Sequence, residues 1–415
     1  MKYRAEIDGL RFLAVLMVII YHIRINILGI NIFHGGFVGV DIFFVISGYL
    51  ITKIIVTDLE KGKFNIFYFF ERRSRRILPL LLFVSIFFLI IGTLITNGEY
   101  LLEFSRTVVS SIFFYSNYFF IFKEVEYGLG ANSENPFIHT WSLSIEEQYY
   151  ILFPIILILL RKYFNLIKVT IFILFFISFY MCMYGFNNYP KVNFFLFSSR
   201  IWEILLGSII AIIPNNKLNN LIIKNFFTVI GIFMIFMSSF YFNDIDENFP
   251  SYKNLYPTIG TALIIYFGGA RDLVSKILSL RIFTFFGKVS FSLYMIHMPV
   301  IVLIRSTDLL KGTIVTKFLS MSFIILFSIF TYFFIEKVFR NQKLVSLKLF
   351  LISIFTAYLL LLSTIFIIFQ KNGNLISFNE KYEKLLTSAE LNDTQYLEEC
   401  IDKPILEANE KINHL

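Results

Sequence analysis

Arg11, His22, Asp41, Glu146, Glu147, Arg200, Glu203 and His297 all stand inside long apolar stretches, where ionisable side chains are rare. A charge at the centre of a bilayer costs at least about 2.5 to 3.5 kcal/mol on insertion scales, so such residues mark function by default. Their types suit a buried acyl-transfer site: a neutral imidazole takes a hydroxyl proton, and a carboxylate holds its tautomer and stabilises the imidazolium. His22 is the first candidate for the base. Asp41 leads the groups that would orient it, followed by Glu146, Glu147 and His297. The competing reading is helix packing, with hydrogen bonds and ion pairs such as Arg200 with Glu203.

A second group is Glu71-Arg72-Arg73-Ser74-Arg75-Arg76, just before Pro79. Arg72, Arg73, Arg75 and Arg76 together can clamp phosphates bidentately, as a coenzyme A donor requires. Basic residues at this place also fix topology and meet anionic lipid. Gly35-Gly36 and Ser47-Gly48-Tyr49 allow close helix approach, and neither matches a phosphate loop. Cys182 and Cys400 offer no metal spacing and no obvious pair, so no metal is expected.

The elements that position these groups follow from composition. Apolar residues fill 57% of 415 positions, charged residues 16%, and mean hydropathy is +0.72. Apolar runs of about 17 to 25 residues recur down the chain without alternating, which predicts an all-α polytopic membrane protein. The expected spans are 7–28, 36–56, 77–96, 140–160, 166–184, 198–213, 223–242, 256–269, 285–305, 314–334 and 349–369, or about eleven crossings. The first is read as a retained helix, since it carries Asp8, Arg11 and His22 and has no small-residue cleavage site.

The net charge of +8 would suggest nucleic acid in a soluble protein. Here the basic residues sit in short loops, the positive-inside pattern, and no nucleic-acid partner is expected. A cytoplasmic N-terminus puts the loops of 61–76, 161–168, 217–224, 271–281 and 337–348 inside, and the acidic stretch 244–247 outside. The apolar stretch 105–122 is expected to be re-entrant or interfacial, because a full crossing would move every later basic loop outside. The C-terminus then lies outside. Helix rise puts His22 about 22 Å from the inner end of its span and Asp41 about 8 Å below the outer end, nearly the same level. Glu146 and His297 fall at about 9 Å below the outer face and about 18 Å above the inner one, again comparable. Arg11 and His22, about 16 Å apart along one helix face, would line a single track.

Several ordered stretches carry a resemblance. They are Tyr3 to Arg11 with His22; Gly39-Val40-Asp41-Ile42-Phe43-Phe44-Val45-Ile46-Ser47-Gly48-Tyr49; Arg72 to Arg76; and His139-Thr140-Trp141-Ser142-Leu143-Ser144-Ile145-Glu146-Glu147-Gln148-Tyr149. Arg200 with Trp202-Glu203 and Gly207, Ser290 to Tyr294 ending in His297 and Pro299, and Glu336 with Arg340 follow. Over about residues 1 to 340 the chain resembles membrane-bound acyltransferase family 3, bacterial O-acyltransferases of polysaccharides and glycans. The resemblance implies a bacterial inner-membrane enzyme with no permanently bound cofactor. Its donor would be acyl-CoA, commonly acetyl-CoA, and its acceptor a carbohydrate hydroxyl in a cell-surface glycan such as lipopolysaccharide. It puts Arg11 and His22 at the functional centre and Arg72 to Arg76 near the donor. Met298 stands where many relatives have Trp.

The expected division is a membrane acyltransferase domain over 1–340, a further transmembrane helix over 341–370, and a short extracytoplasmic tail over 371–415. That tail is a remnant of, or the start of a linker to, an outer hydrolase-like domain. Two other readings compete: a proton-coupled transporter or flippase, and a truncated, inactive homologue. A transporter has no reason for a phosphate clamp beside a deep histidine.

Overall fold

A computed structural model describes residues 3–24, 26–27, 30–31, 33–96, 98–123, 135–214, 220–242, 249–269, 271–306 and 314–374. The acidic stretch 244–247, Cys400 and nearly all of the expected tail lie outside these residues. In chain order the helices are α1 (Ala5–Ile23), α2 (Gly39–Glu60), α3 (Ile66–Ile95), α4 (Gly98–Ile112), α5 (Ser116–Phe122), α6 (Thr140–Leu159), α7 (Phe164–Asn188) and α8 (Pro190–Phe195). There follow α9 (Phe197–Ile212), α10 (Leu221–Tyr241), α11 (Leu255–Phe267), α12 (Leu273–Leu278), α13 (Arg281–Ser306), α14 (Ile314–Thr331), α15 (Lys337–Arg340) and α16 (Leu347–Gln370). The only strands among the described residues are two-residue antiparallel pieces, Asn26–Ile27 and Ile30–Asn31.

Among the described residues, eight helical stretches are long and apolar enough to cross a membrane: α2 with the turn before it, α3, α6, α7, α10, α13, α14 to α15, and α16. They coincide with eight of the eleven expected spans. The other three are helices too, but α1 has 19 residues and carries Glu6, Asp8 and Arg11, while α9 and α11 have 16 and 13. Length and composition therefore support eight crossings, and the full eleven do not rest on them. Over 98–122 the chain forms α4 and α5 with a break at Phe114, whose φ of 56° no helix continues through, and neither piece is long enough to span.

In lipid, apolar side chains gain little by leaving one another's surroundings, so helix association depends on close packing and small residues. Gly48 on α2 and Gly207 on α9 face each other's backbones: a Cβ would sit 1.8 Å from the Ile204 carbonyl oxygen at the first and 2.0 Å from that of Val45 at the second. Gly287 of α13 meets the Asp8 carbonyl of α1 in the same way, at 1.9 Å. These contacts draw α1, α2, α9 and α13 into the centre. By contrast α7, α10, α14 and α16 turn residues such as Phe176, Phe233, Phe330 and Phe355 outward.

Local signals set the ends. Asn65, Asn220 and Ser346 accept backbone N–H bonds at the starts of α3, α10 and α16. Arg24, left-handed at φ 56°, ends α1 after Ile23, five residues short of the expected boundary. Between α14 and α15 the chain widens into a π-helical stretch over Tyr332–Glu336. There Glu336, 1% exposed, accepts from Ser292 at 3.2 Å and from Arg340 at 3.0 Å.

Candidate active site

The arginine cluster begins α3, and the helical period splits it into pairs. Residues three apart share a face, so Arg73 falls with Arg76 and Arg72 with Arg75. Arg73 and Arg76 turn to the interior, where they line two cavities that meet. The outer one, about 520 Å³, is a basic mouth that also takes Arg72, Arg75, Arg340 and Lys343. The inner one, about 160 Å³, shares Ile51, Ile54, Arg73 and Arg76 with the mouth and continues past Arg11, Ser47, Glu146 and Tyr150. It ends among Val40, Phe43, Leu143, Phe291 and Tyr294, with Ser142 and Ser290 beside them. The lining on α2 runs from Ile54 to Val40, about 21 Å of helix at 1.5 Å per residue.

Within this tunnel the charges are not equivalent. The Arg73 guanidinium lies 3.7 Å from the Tyr150 ring centre and 3.3 Å from Glu147. Tyr150 in turn donates to Glu146 at 2.9 Å. Arg75 is 2% exposed and tied elsewhere, to Glu71 at 2.8 Å and to the carbonyls of Phe339 and Val345 at 3.2 and 2.8 Å. It clasps α3 to the chain between α15 and α16. Arg75 thus spends two of its three nitrogens on protein acceptors, while its Nη2 is buried without a partner and the residue still lines the mouth. Arg72 stacks at 4.6 Å over Tyr68, one turn earlier.

Beyond the far end lie three imidazoles. The His22 and His297 rings are 5.4 Å apart, centre to centre, and those of His139 and His297 are 5.1 Å apart. Tyr294 packs against His139 at 5.2 Å and His297 at 5.4 Å. Its hydroxyl lies 2.6 Å from the His139 carbonyl and 2.6 Å from Ser142 Oγ. A carbonyl only accepts, so the one phenolic proton goes to His139, and Ser142 must donate to Tyr294. The same logic fixes His297. Its Nδ1 is 2.5 Å from the Tyr294 carbonyl and must carry the proton, which leaves Nε2 with a bare lone pair, buried without a partner.

Pro299 deprives the Met295 carbonyl of its helical donor, and that carbonyl lies near His139. Neither ring nitrogen of His139 makes a well-formed hydrogen bond.

The expected layer thus separates into groups. His22 and His297 come together as expected, and Arg11 and Glu146 line the inner cavity. Asp41 does not join the histidines. Both of its oxygens are engaged, one by Arg200 at 2.8 Å and the other by Asn254 at 3.0 Å, while Arg200 also reaches Glu203 at 2.9 Å. This buried cluster ties α2 to α9 and to the turn before α11, the kind of contact the packing reading expects, with both oxygens of Glu203 outside any hydrogen bond. Sequence reasoning did not assign His139, Ser142 or Tyr294. Their spacing carried a signal: Ser290, Tyr294 and His297 repeat at i, i+4 and i+7 on α13, and His139, Ser142 and Glu146 at i, i+3 and i+7 along α6. Among the described residues no cluster of ligands suits a metal ion.

Residues 4–335 match a family described as an acyltransferase domain. The chain is also 34% identical over 320 residues to the O-acetyltransferase OatA of Staphylococcus aureus, in strains NCTC 8325 / PS 47, COL and MW2 alike. Each of these alignments covers 74% of this chain and 52% of the relative, so the chain spans about half the length of the curated relatives it matches. No solved structure matches it. A polytopic helical membrane protein with an arginine-lined tunnel leading towards three imidazoles, matched over residues 4–335, the chain belongs to the acyltransferase-domain family.

Proposed function

We propose that this chain is a membrane O-acetyltransferase that takes an acetyl group from acetyl-CoA on the cytoplasmic side and passes it to a carbohydrate hydroxyl of the cell surface. The observation that carries the reading is the pair of joined cavities. They offer a basic mouth, then a polar stretch, then an apolar end. An acyl-CoA has the same order of chemistry: phosphates, an arm with amides, and an apolar acyl group. Arg72, Arg73, Arg76 and Arg340 would hold the phosphates, and the tunnel would deliver the thioester towards Tyr294 and the histidines.

The chemistry follows from what a hydroxyl lacks. At neutral pH it is barely ionised, so attack on a thioester needs a base. His22 is the base in this reading. It stands in the last turn of α1 and is 8% exposed, whereas His297 and His139 are 0% and 1% exposed. The acceptor oxygen bonds to the acyl carbon, its proton passes to His22, and the carbon–sulfur bond breaks to release coenzyme A, which takes up a proton. His297 keeps an unprotonated Nε2 beside His22 and stabilises the imidazolium that forms.

Membranes incubated with acetyl-labelled acetyl-CoA test this. Label should appear as base-labile ester in surface glycan, and His22→Gln, inserted normally, should lose transfer by about two orders of magnitude or more. Near-normal transfer by His22→Gln would overturn the assignment of the base. A wild type that transfers no label would overturn the reading as a whole.

A further inference from the structure

We propose that the apolar far end of the inner cavity is an acyl-sizing pocket, walled by Phe43, Leu143 and Phe291 and floored by Tyr294, which restricts the chain to short acyl donors. The inference rests on the reading that the arginine mouth takes acyl-CoA, and it assigns the residues that decide which acyl group is accepted. Once the phosphates are held at Arg73 and Arg76, the thioester end must point inward, and the last part of the tunnel it meets is mostly apolar, with Ser142 and Ser290 the small polar residues among Phe43, Leu143 and Phe291. Val40 and Leu143 are buried, at 4% and 6% exposed, while Phe43 and Phe291 are half-buried, so Leu143 is the wall most tightly backed by its neighbours.

The floor is held more firmly than the walls. Tyr294 is fixed by two 2.6 Å hydrogen bonds, to the His139 carbonyl and to Ser142, and by ring contacts with His139, His297 and Phe43, the last at 6.2 Å. Gly287, two turns earlier on α13, abuts the Asp8 carbonyl, so the helix cannot slide to lengthen the pocket. A longer acyl chain must therefore break these bonds, push a wall ring aside or leave the thioester short of the histidines. An apolar pocket discriminates by about 10- to 200-fold for one methylene that does not fit.

The test compares acetyl-, propionyl-, butyryl- and hexanoyl-CoA with wild-type membranes, reading both free coenzyme A thiol and acyl ester on the glycan. Wild type should fall by about tenfold or more from acetyl to propionyl and further to butyryl. Phe43→Ala and the milder Leu143→Val enlarge the end, and each should raise the butyryl-to-acetyl ratio by about tenfold or more. Leu143→Phe should shift the ratio the other way. The ratio is internal to each sample, so it does not depend on how much protein inserts or how much acetyl transfer a variant loses. Equal use of butyryl and acetyl by wild type, or ratios that no variant moves, would overturn the sizing pocket while leaving the donor reading intact. Failure to use an acyl-CoA of any length would remove the donor reading and the pocket with it.

Discussion

Arg75 and Arg76 are neighbours in sequence and should fail in opposite ways. Replacing Arg76 by Lys keeps the charge, and so the orientation of the loops, but turns a planar fork into a point charge. Arg76 lines both cavities, and no acidic partner lies within ion-pair distance of it among the described residues. The substitution should then forfeit one charge-assisted hydrogen bond to a donor phosphate, about 1.5 to 3 kcal/mol, or about 10- to 150-fold in donor affinity. Arg75→Lys cannot serve Glu71 and the carbonyls of Phe339 and Val345 together, since one ammonium does not span three acceptors placed for a fork. A carbonyl left without its donor costs about 1 to 3 kcal/mol, which should appear as less folded protein and a lower unfolding temperature in detergent. The assay is a titration of acetyl-CoA at fixed acceptor, with the amount of inserted protein measured in parallel. Arg76→Lys should raise the donor KM at normal protein level, and Arg75→Lys should lower the protein level at unchanged KM. An unchanged KM in Arg76→Lys would leave the cluster as a topology and lipid signal and refute the phosphate clamp.

Two further outcomes follow from packing and charge. Gly48→Ala and Gly207→Ala each put a methyl group into the facing backbone, at 1.8 and 2.0 Å, so each should destabilise the protein by about 1 to 3 kcal/mol or more. Gly62→Ala, with nothing near its Cβ position, should show only the smaller effect of its positive φ, and melting curves in detergent compare the three. With Cys182 and Cys400 replaced by Ser, a cysteine at Asn243 should react with an impermeant reagent added outside and one at Asn341 should not; the reverse pattern would refute the inside N-terminus.

The helices were legible because an apolar run of sufficient length has only one stable form in lipid. What length could not convey was rotation about the helix axis. Asp41 shares a depth with His22, yet it points to Arg200 and Asn254, and depth alone carries no azimuth. The same blindness grouped four arginines of which one, Arg75, reaches back to the carbonyls of Phe339 and Val345. His139 escaped for a different reason. It sits at the cap position of α6, at the edge of its span, where a polar residue excites no suspicion, and only folding showed it 5.1 Å from His297. Tyr294 and Ser142 are ordinary in a membrane helix until their hydroxyls are seen to meet. Glycine crossings were readable in kind, as Ser47-Gly48-Tyr49, but their partners required the fold.

The widened turn over Tyr332–Glu336 carries a consequence for how this chain can change over generations. Each residue removed from or added to an α-helix turns everything beyond it by about 100° and moves it about 1.5 Å. Arg340 lines the mouth because the turn before it has the pitch that it has, with Glu336 facing Ser292 and Arg340 alike. The outward face of α14, with Phe318, Leu319, Phe323 and Leu326, is exposed on a helix apolar enough to span a bilayer and accepts almost any apolar exchange. Drift in composition is thus cheap along this segment while drift in length is not: one codon lost from α14, with the wide turn keeping its pitch, would swing the last arginine out of the mouth, and only a return of that turn to α-helix would restore it.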